Sequence, residues 1–479
     1  MPIRILLVSL IFAALVAPLR PGADPAERAS TIGERVSLNV TVYNGGAALI
    51  HDRRVVPLEE GLNRIAWRDV SAQMDATSAI LEAVGGSNLI GVREQNFDYD
   101  LLDPDALLRK YVGREVTVVH EARFAGERDT RETAEILSVN GGIVLKYKDG
   151  IETGVRGHIV FPDSGGAFRE RPTLVLQVES EHALSETLDL SYLTSGMTWS
   201  ADYVGVVSSD GSRLGLTGLV TLSNTSGESY ENARLQLVAG NVNVVQAQGM
   251  LRTIARVTSQ AYAAQAAPVQ QENYYEYHLY TLARPTTILD NETKQLTLLT
   301  AQNVPIHETL ELRGSPDYYR NAEPDIGDRL PVGAYVSFEN RGGELGIPLP
   351  GGIVRLYKND SHGVSQFLGS DSIDHTPKNE TVRLHVGDSF DVTARKIQTD
   401  FRLLNPCDSE SSYRIVLANA KTASQNVLVV EPIPSDWSIP QENFPHTKSS
   451  ASTASWNLRV PAGGRTTLTY TARVSWCGF

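Results

Sequence analysis

Cysteine is almost absent from this chain: Cys407 and Cys477 are the only two among 479 residues. That count excludes a multi-cysteine zinc site and a dense disulfide framework. What it allows is one bridge in an oxidising compartment, with two unpaired thiols as the alternative. A bridge closing so long a loop would stabilise the final part of the chain by about 4 kcal/mol in the chain-entropy treatment, less any strain. Positive charge is also short: 43 Lys plus Arg stand against 56 Asp plus Glu, a balance of −13. Nucleic acid and acidic lipid headgroups are therefore poor partners. Long apolar runs are missing after the first twenty residues, so no transmembrane helix is expected beyond that point. Aromatics make up only 7%, which speaks against a membrane barrel with aromatic girdles.

Catalytic signatures are scarce too. His307-Glu308-Thr309-Leu310-Glu311 starts like a zinc-protease helix, but Glu311 stands where the second histidine belongs and the segment alternates like a strand. No nucleophile elbow, phosphate-cradling loop or calcium loop occurs. No cofactor is expected.

What the sequence does contain is an export signal followed by strands. Arg4 precedes an apolar run from Ile5 to Ala17, the length of a signal h-region, and Pro18, Pro21 and Pro25 then break any helix. Residues 1–26 read as a signal peptide, which implies the periplasm or cell envelope. The stretch from Leu188 to Asn243 organises the rest. Tyr203–Val207 and Leu214–Leu222 repeat with period two, and Asp210-Gly211 between them supplies a tight turn. A hairpin cannot bury its own apolar face, so this one needs partners from elsewhere in the chain.

The expected fold class is all-β, with several β domains in series. Residues 34–101 read as an N-terminal β domain. Asp103-Pro104 opens a short helix, with the aspartate as cap and the proline at the first helical position. Residues 113–162 hold five short strands, which suggests a small, partly open barrel of SH3 or Sm type. Residues 172–400 read as a central β-sandwich region carrying an Ala/Gln-rich loop at 245–273. Residues 401–479 fit an immunoglobulin-like sandwich whose two ends a Cys407–Cys477 bridge would clamp.

Two polar groupings could carry function. Asp374, His375 and Lys378 share a loop, and Asp388, Asp391 and Arg395 follow a hairpin later. A carboxylate beside an imidazole can orient it for base catalysis, and Lys or Arg can bind an anion. The competing reading is that these acids cap turns and that Arg395 pairs with one of them. The second grouping is the aromatic run Tyr274, Tyr275, Tyr277, His278 and Tyr280. Alternation would put Tyr275 and Tyr277 on one face and His278 and Tyr280 on the other. Exposed, these rings could stack on a sugar or a protein partner; buried, they would pack between sheets.

Several segments in order carry a family resemblance: Trp199-Ser200-Ala201-Asp202-Tyr203, Asn224-Thr225-Ser226-Gly227, Arg284-Pro285-Thr286-Thr287, Gly346-Ile347-Pro348-Leu349-Pro350 and Ile373-Asp374-His375-Thr376-Pro377-Lys378. Together they resemble an exported bacterial family whose C-terminal domain of unknown function is shared with mucoidy-inhibitor-type proteins. The likeness covers about two-thirds of the chain. It departs from that pattern in having no heptad coiled coil between its halves, where the small barrel stands instead. The resemblance implies an all-β fold and an envelope location, and it supplies no catalytic residues. The expected function is a non-catalytic envelope module that binds a protein or a glycan. The alternative is a secreted hydrolase of glycans or peptides working through Asp374 and His375.

Overall fold

A computed structural model describes residues 25–85, 90–98, 101, 103–120, 128–155, 157–162, 169–240, 269–323 and 326–477. The expected signal segment, 1–26, lies outside these residues apart from its last two positions, and so does most of the expected Ala/Gln-rich loop, 245–273. The described chain is nearly all β, arranged as several separate sheets. None of its helices is long and apolar enough to cross a membrane. It forms two compact units.

The first unit contains residues 25–36, 53–70 and 80–190. One of its sheets runs Glu27–Ser30, Gly61–Arg68, Thr173–Ser180, Ile90–Asp98. The guanidinium of Arg54, fully buried, donates to the carbonyls of Ser30 and Arg68 at 2.8 Å each and lies 4.6 Å from the Trp67 ring. Those partners satisfy a charge that would otherwise be costly to bury.

The five strands expected in 113–162 form one antiparallel sheet in the order Gly150–Thr153, Val144–Tyr147, Thr130–Ser138, Glu115–His120, His158–Val160. Among the described residues its two edge strands do not pair, so it is an open sheet and not a closed barrel. The helix Pro104–Lys110 covers its core. Asp103 Oδ1 accepts from the Ala106 amide at 2.7 Å, and Tyr111, Leu107 and Leu108 pack against Val116, Val118, Ile136 and Leu145.

The second unit contains residues 37–52, 71–79 and 191–479. The predicted hairpin is present: Met197–Val207 pairs antiparallel with Arg213–Asn224, and Gly211 takes φ +73° in the turn. Both strands are central in a five-stranded sheet, flanked by Glu292–Pro305 on one side and by Gly352–Asn359 and then Ser365–Ile373 on the other. Another group of strands runs Val269–Tyr274, Tyr277–Leu282, Tyr230–Ala239, Arg35–Tyr43, the last pair parallel. A boundary near residue 101 therefore does not divide the chain as expected, because 37–52 packs with residues far downstream.

The C-terminal sandwich is also larger than 401–479. Its first sheet runs Thr381–Asp388, Gly333–Glu339, His307–Arg313, Gln425–Pro432, Thr453–Val460, Thr447–Ser450. The second runs Gly327–Leu330, Val392–Leu403, Asp408–Asn419, Arg465–Ser475, Asp436–Glu442. Five of these strands precede residue 401 wholly or in large part. Val427, Val429, Trp456 and Leu458 from one sheet meet Ile415, Leu417, Leu468 and Tyr470 from the other in a single core. The strands after residue 401 therefore share both sheets with strands from upstream. His307–Arg313, expected as a strand, is one and pairs in parallel with Gln425–Pro432. Cys407 and Cys477 are disulfide-bonded with Cα atoms 5.1 Å apart, beside the ends of Asp408–Asn419 and Arg465–Ser475.

Candidate functional site

The acidic and basic residues chosen as possible chemistry do not converge. Asp374, His375, Lys378, Asp391 and Arg395 are all exposed. Arg395 Nε pairs with Asp328 at 2.6 Å, and the Asp391 main-chain carbonyl accepts from the Ala420 amide at 2.8 Å. Asp388 faces His385 at 3.7 Å. No hydrogen bond or ion pair joins Asp374 to His375 among the described residues. Instead His375 Nδ1 accepts from the Gly351 amide at 3.0 Å. Among the described residues no carboxylate is hydrogen-bonded to this ring.

The aromatic run behaves differently. Val269–Tyr274 and Tyr277–Leu282 form a hairpin joined by Tyr275 and Glu276. Tyr275 thus lies in the turn, where strand alternation does not reach. Its φ is +56° and it is 87% exposed. The left-handed region is costly for a bulky side chain, and strain of this kind at an exposed position collects at functional sites. The Tyr275 and Tyr277 ring centroids are 6.4 Å apart. Tyr277 lies against Gly240, where an added Cβ would come within 2.5 Å of its Cδ1. Glycine at 240, at φ +135°, therefore seats the ring on bare backbone.

Tyr280, by contrast, is a core residue, 1% exposed, and so fits the packing reading. Its hydroxyl donates to the Pro348 carbonyl at 2.8 Å, and the buried Tyr203 hydroxyl donates to the Pro350 carbonyl at 2.8 Å. Burial pushes both phenols well above the usual tyrosine range. Leu349 and Thr376 exchange main-chain hydrogen bonds of 2.8 and 2.9 Å. The segment 348–351 is in this way tied to the hairpin on one side and to the His375 loop on the other.

His278, half-buried next to Tyr277, has Nδ1 3.2 Å from Gln271 Nε2. Its pKa is lowered, first by burial and then by the nearby His375. The hairpin tip and the His375 loop, separate proposals from sequence, are thus neighbours. The Tyr275 and Tyr277 rings form one pair at the hairpin tip, and His278, next along the strand, lies near His375; such rings offer flat apolar faces and hydrogen-bonding edges. Sequence reasoning missed Gly240 and Gln271, and it gave the 348–351 segment no role at this site. The only local signal for the last was the Pro-Leu-Pro-Gly composition of a constrained loop.

A separate cleft of about 470 Å³ is lined by residues including Gln302, His307, Glu339, Arg341 and Glu344. Its charges largely satisfy one another: Arg341 pairs with Glu339 at 2.5 Å, and Glu344 accepts from the Gln302 amide at 2.5 Å. No protein-family model matches the chain, and no curated protein matches it.

Proposed function

We propose that this protein is an exported, non-catalytic component of the bacterial cell envelope that binds a protein or glycan partner through the hairpin tip at Tyr275, Tyr277 and His278. The observation that carries this reading is the exposed tyrosine held at φ +56° in a two-residue turn, a conformation the surrounding hairpin must sustain. Export draws support from the apolar run after Arg4 and from the Cys407–Cys477 bridge, a bond that persists in oxidising compartments. Kinship with the exported family sharing the mucoidy-inhibitor C-terminal domain rests on the ordered segments quoted above. A hydrolase built on Asp374 and His375 is disfavoured by their exposure and by the lack of a bond between them.

The test is photo-crosslinking in intact cells from position 275, with position 390 as control, since Phe390 is equally bare at 90% exposure. A discrete adduct from 275 and none from 390 supports the reading. Identical patterns from both positions would refute it.

A further inference from the structure

Within the C-terminal sandwich, Lys396 and Glu431 are 1% and 0% exposed, with Nζ 2.7 Å from Oε2. Lys396 comes from Val392–Leu403 in one sheet and Glu431 from Gln425–Pro432 in the other. Nζ lies 4.5 Å from the Tyr318 ring centroid and 4.6 Å from that of Tyr413, with the Tyr319 and Tyr470 rings at 5.7 and 5.9 Å. The Tyr319 hydroxyl is 2.9 Å from Glu431 Oε2 and 2.8 Å from the Tyr470 hydroxyl. The other carboxylate oxygen, Oε1, is buried with no hydrogen-bond partner among the described residues. Gly314 makes room for the carboxylate, because a Cβ there would collide with it.

We propose that Lys396 and Glu431 condense into an amide that covalently joins the two sheets of the sandwich. As an ion pair, the site holds two charges away from water and leaves one carboxylate oxygen unsatisfied, an arrangement with a large desolvation penalty. An amide removes both charges, and Oε1 becomes a neutral carbonyl.

The atoms balance without any co-reactant. A proton passes directly from the Lys396 ammonium to Glu431 Oε2, 2.7 Å away. The neutral Nζ then attacks Cδ. The N–C bond forms, one C–O bond breaks, and the departing hydroxyl takes a proton from nitrogen to leave as water. Burial favours the neutral reactants: desolvation holds the Lys396 ammonium below the usual lysine range, while the charge on Glu431 works in the opposite direction. Condensation is ordinarily opposed by bulk water. Here the two groups are fixed in contact, and effective molarities for well-oriented intramolecular reactions reach on the order of 10⁵–10⁸ M.

The test is mass spectrometry of the purified full chain, reduced, denatured and digested with trypsin. The expected product is a branched peptide containing both Lys396 and Glu431, lighter by one water than the two linear peptides together, with no cleavage after Lys396. The intact K396M chain should lack that loss of water. Linear peptides cut after Lys396, with Glu431 unmodified, would overturn the proposal. The wild-type digest decides the matter even if K396M does not fold.

Discussion

The Tyr280 hydroxyl donates to the Pro348 carbonyl at 2.8 Å, so a core tyrosine of the hairpin anchors the loop that presents Gly351 to His375. The buried end of the aromatic run thereby holds the loop that meets His375. Replacing Tyr280 by phenylalanine keeps the ring and removes the bond. The Y280F protein should lose about 1 kcal/mol in urea unfolding, the cost of one lost partner at a partly buried carbonyl. A loss near zero would mean that the loop is held without it.

Tyr275 should carry a stability penalty. Glycine adopts φ +56° without the Cβ clash, so Y275G should relieve roughly 1 kcal/mol of strain, partly offset by the greater entropy of the unfolded chain. Thermal unfolding should shift upward or stay level while partner capture falls. A clear drop in melting temperature would show that the ring supports the hairpin.

The disulfide should dominate the stability of the C-terminal sandwich. It closes a separation of 70 residues, and removing it through C407S with C477S should cost about 4 kcal/mol by the chain-entropy treatment. Denaturant unfolding of both forms measures the difference. Thiol titration of the unreduced, unfolded chain should find no free thiol.

Acid should weaken the first unit through Glu27. Arg169 donates to Glu27 Oε1 at 2.5 Å, and this bond holds the carboxyl below its ordinary value of 4.5, with burial opposing it. A carboxyl lowered on folding contributes stability that is present above 4.5 and fades as pH falls through the folded value. E27Q should therefore be less stable than wild type at neutral pH, and the gap should close on acidification. A gap that does not depend on pH would contradict the role of this charge.

Much of the fold was legible because alternation is a local property. Met197–Asn224 showed its two strands and its Asp-Gly turn, and Asp103-Pro104 showed its helix. Pairing between distant segments was not legible: nothing within Arg35–Tyr43 announces that it lies parallel to Tyr230–Ala239. The same blindness shortened the C-terminal sandwich, whose strand Gln425–Pro432 pairs with His307–Arg313 from more than a hundred residues upstream. At the candidate site, the aromatic run drew attention by composition, but Tyr275 was placed on a strand face because no glycine marked the turn. Lys396 was overlooked in favour of its exposed neighbour Arg395. A signal did exist, since Lys396 falls in phase with Val392 and Ala394, both buried. A lysine on the inward face of a strand is the rare event, and composition alone gives it no weight.

The central claim is that the Tyr275–Tyr277 tip is a binding surface on an envelope protein. It is tested most directly by co-sedimentation of the purified chain with isolated cell envelopes, comparing wild type with the Y275A/Y277A double variant. The account predicts that wild type sediments with the envelopes and that the variant, folded by circular dichroism, loses at least about tenfold in apparent affinity. Equal sedimentation of the two proteins would contradict it.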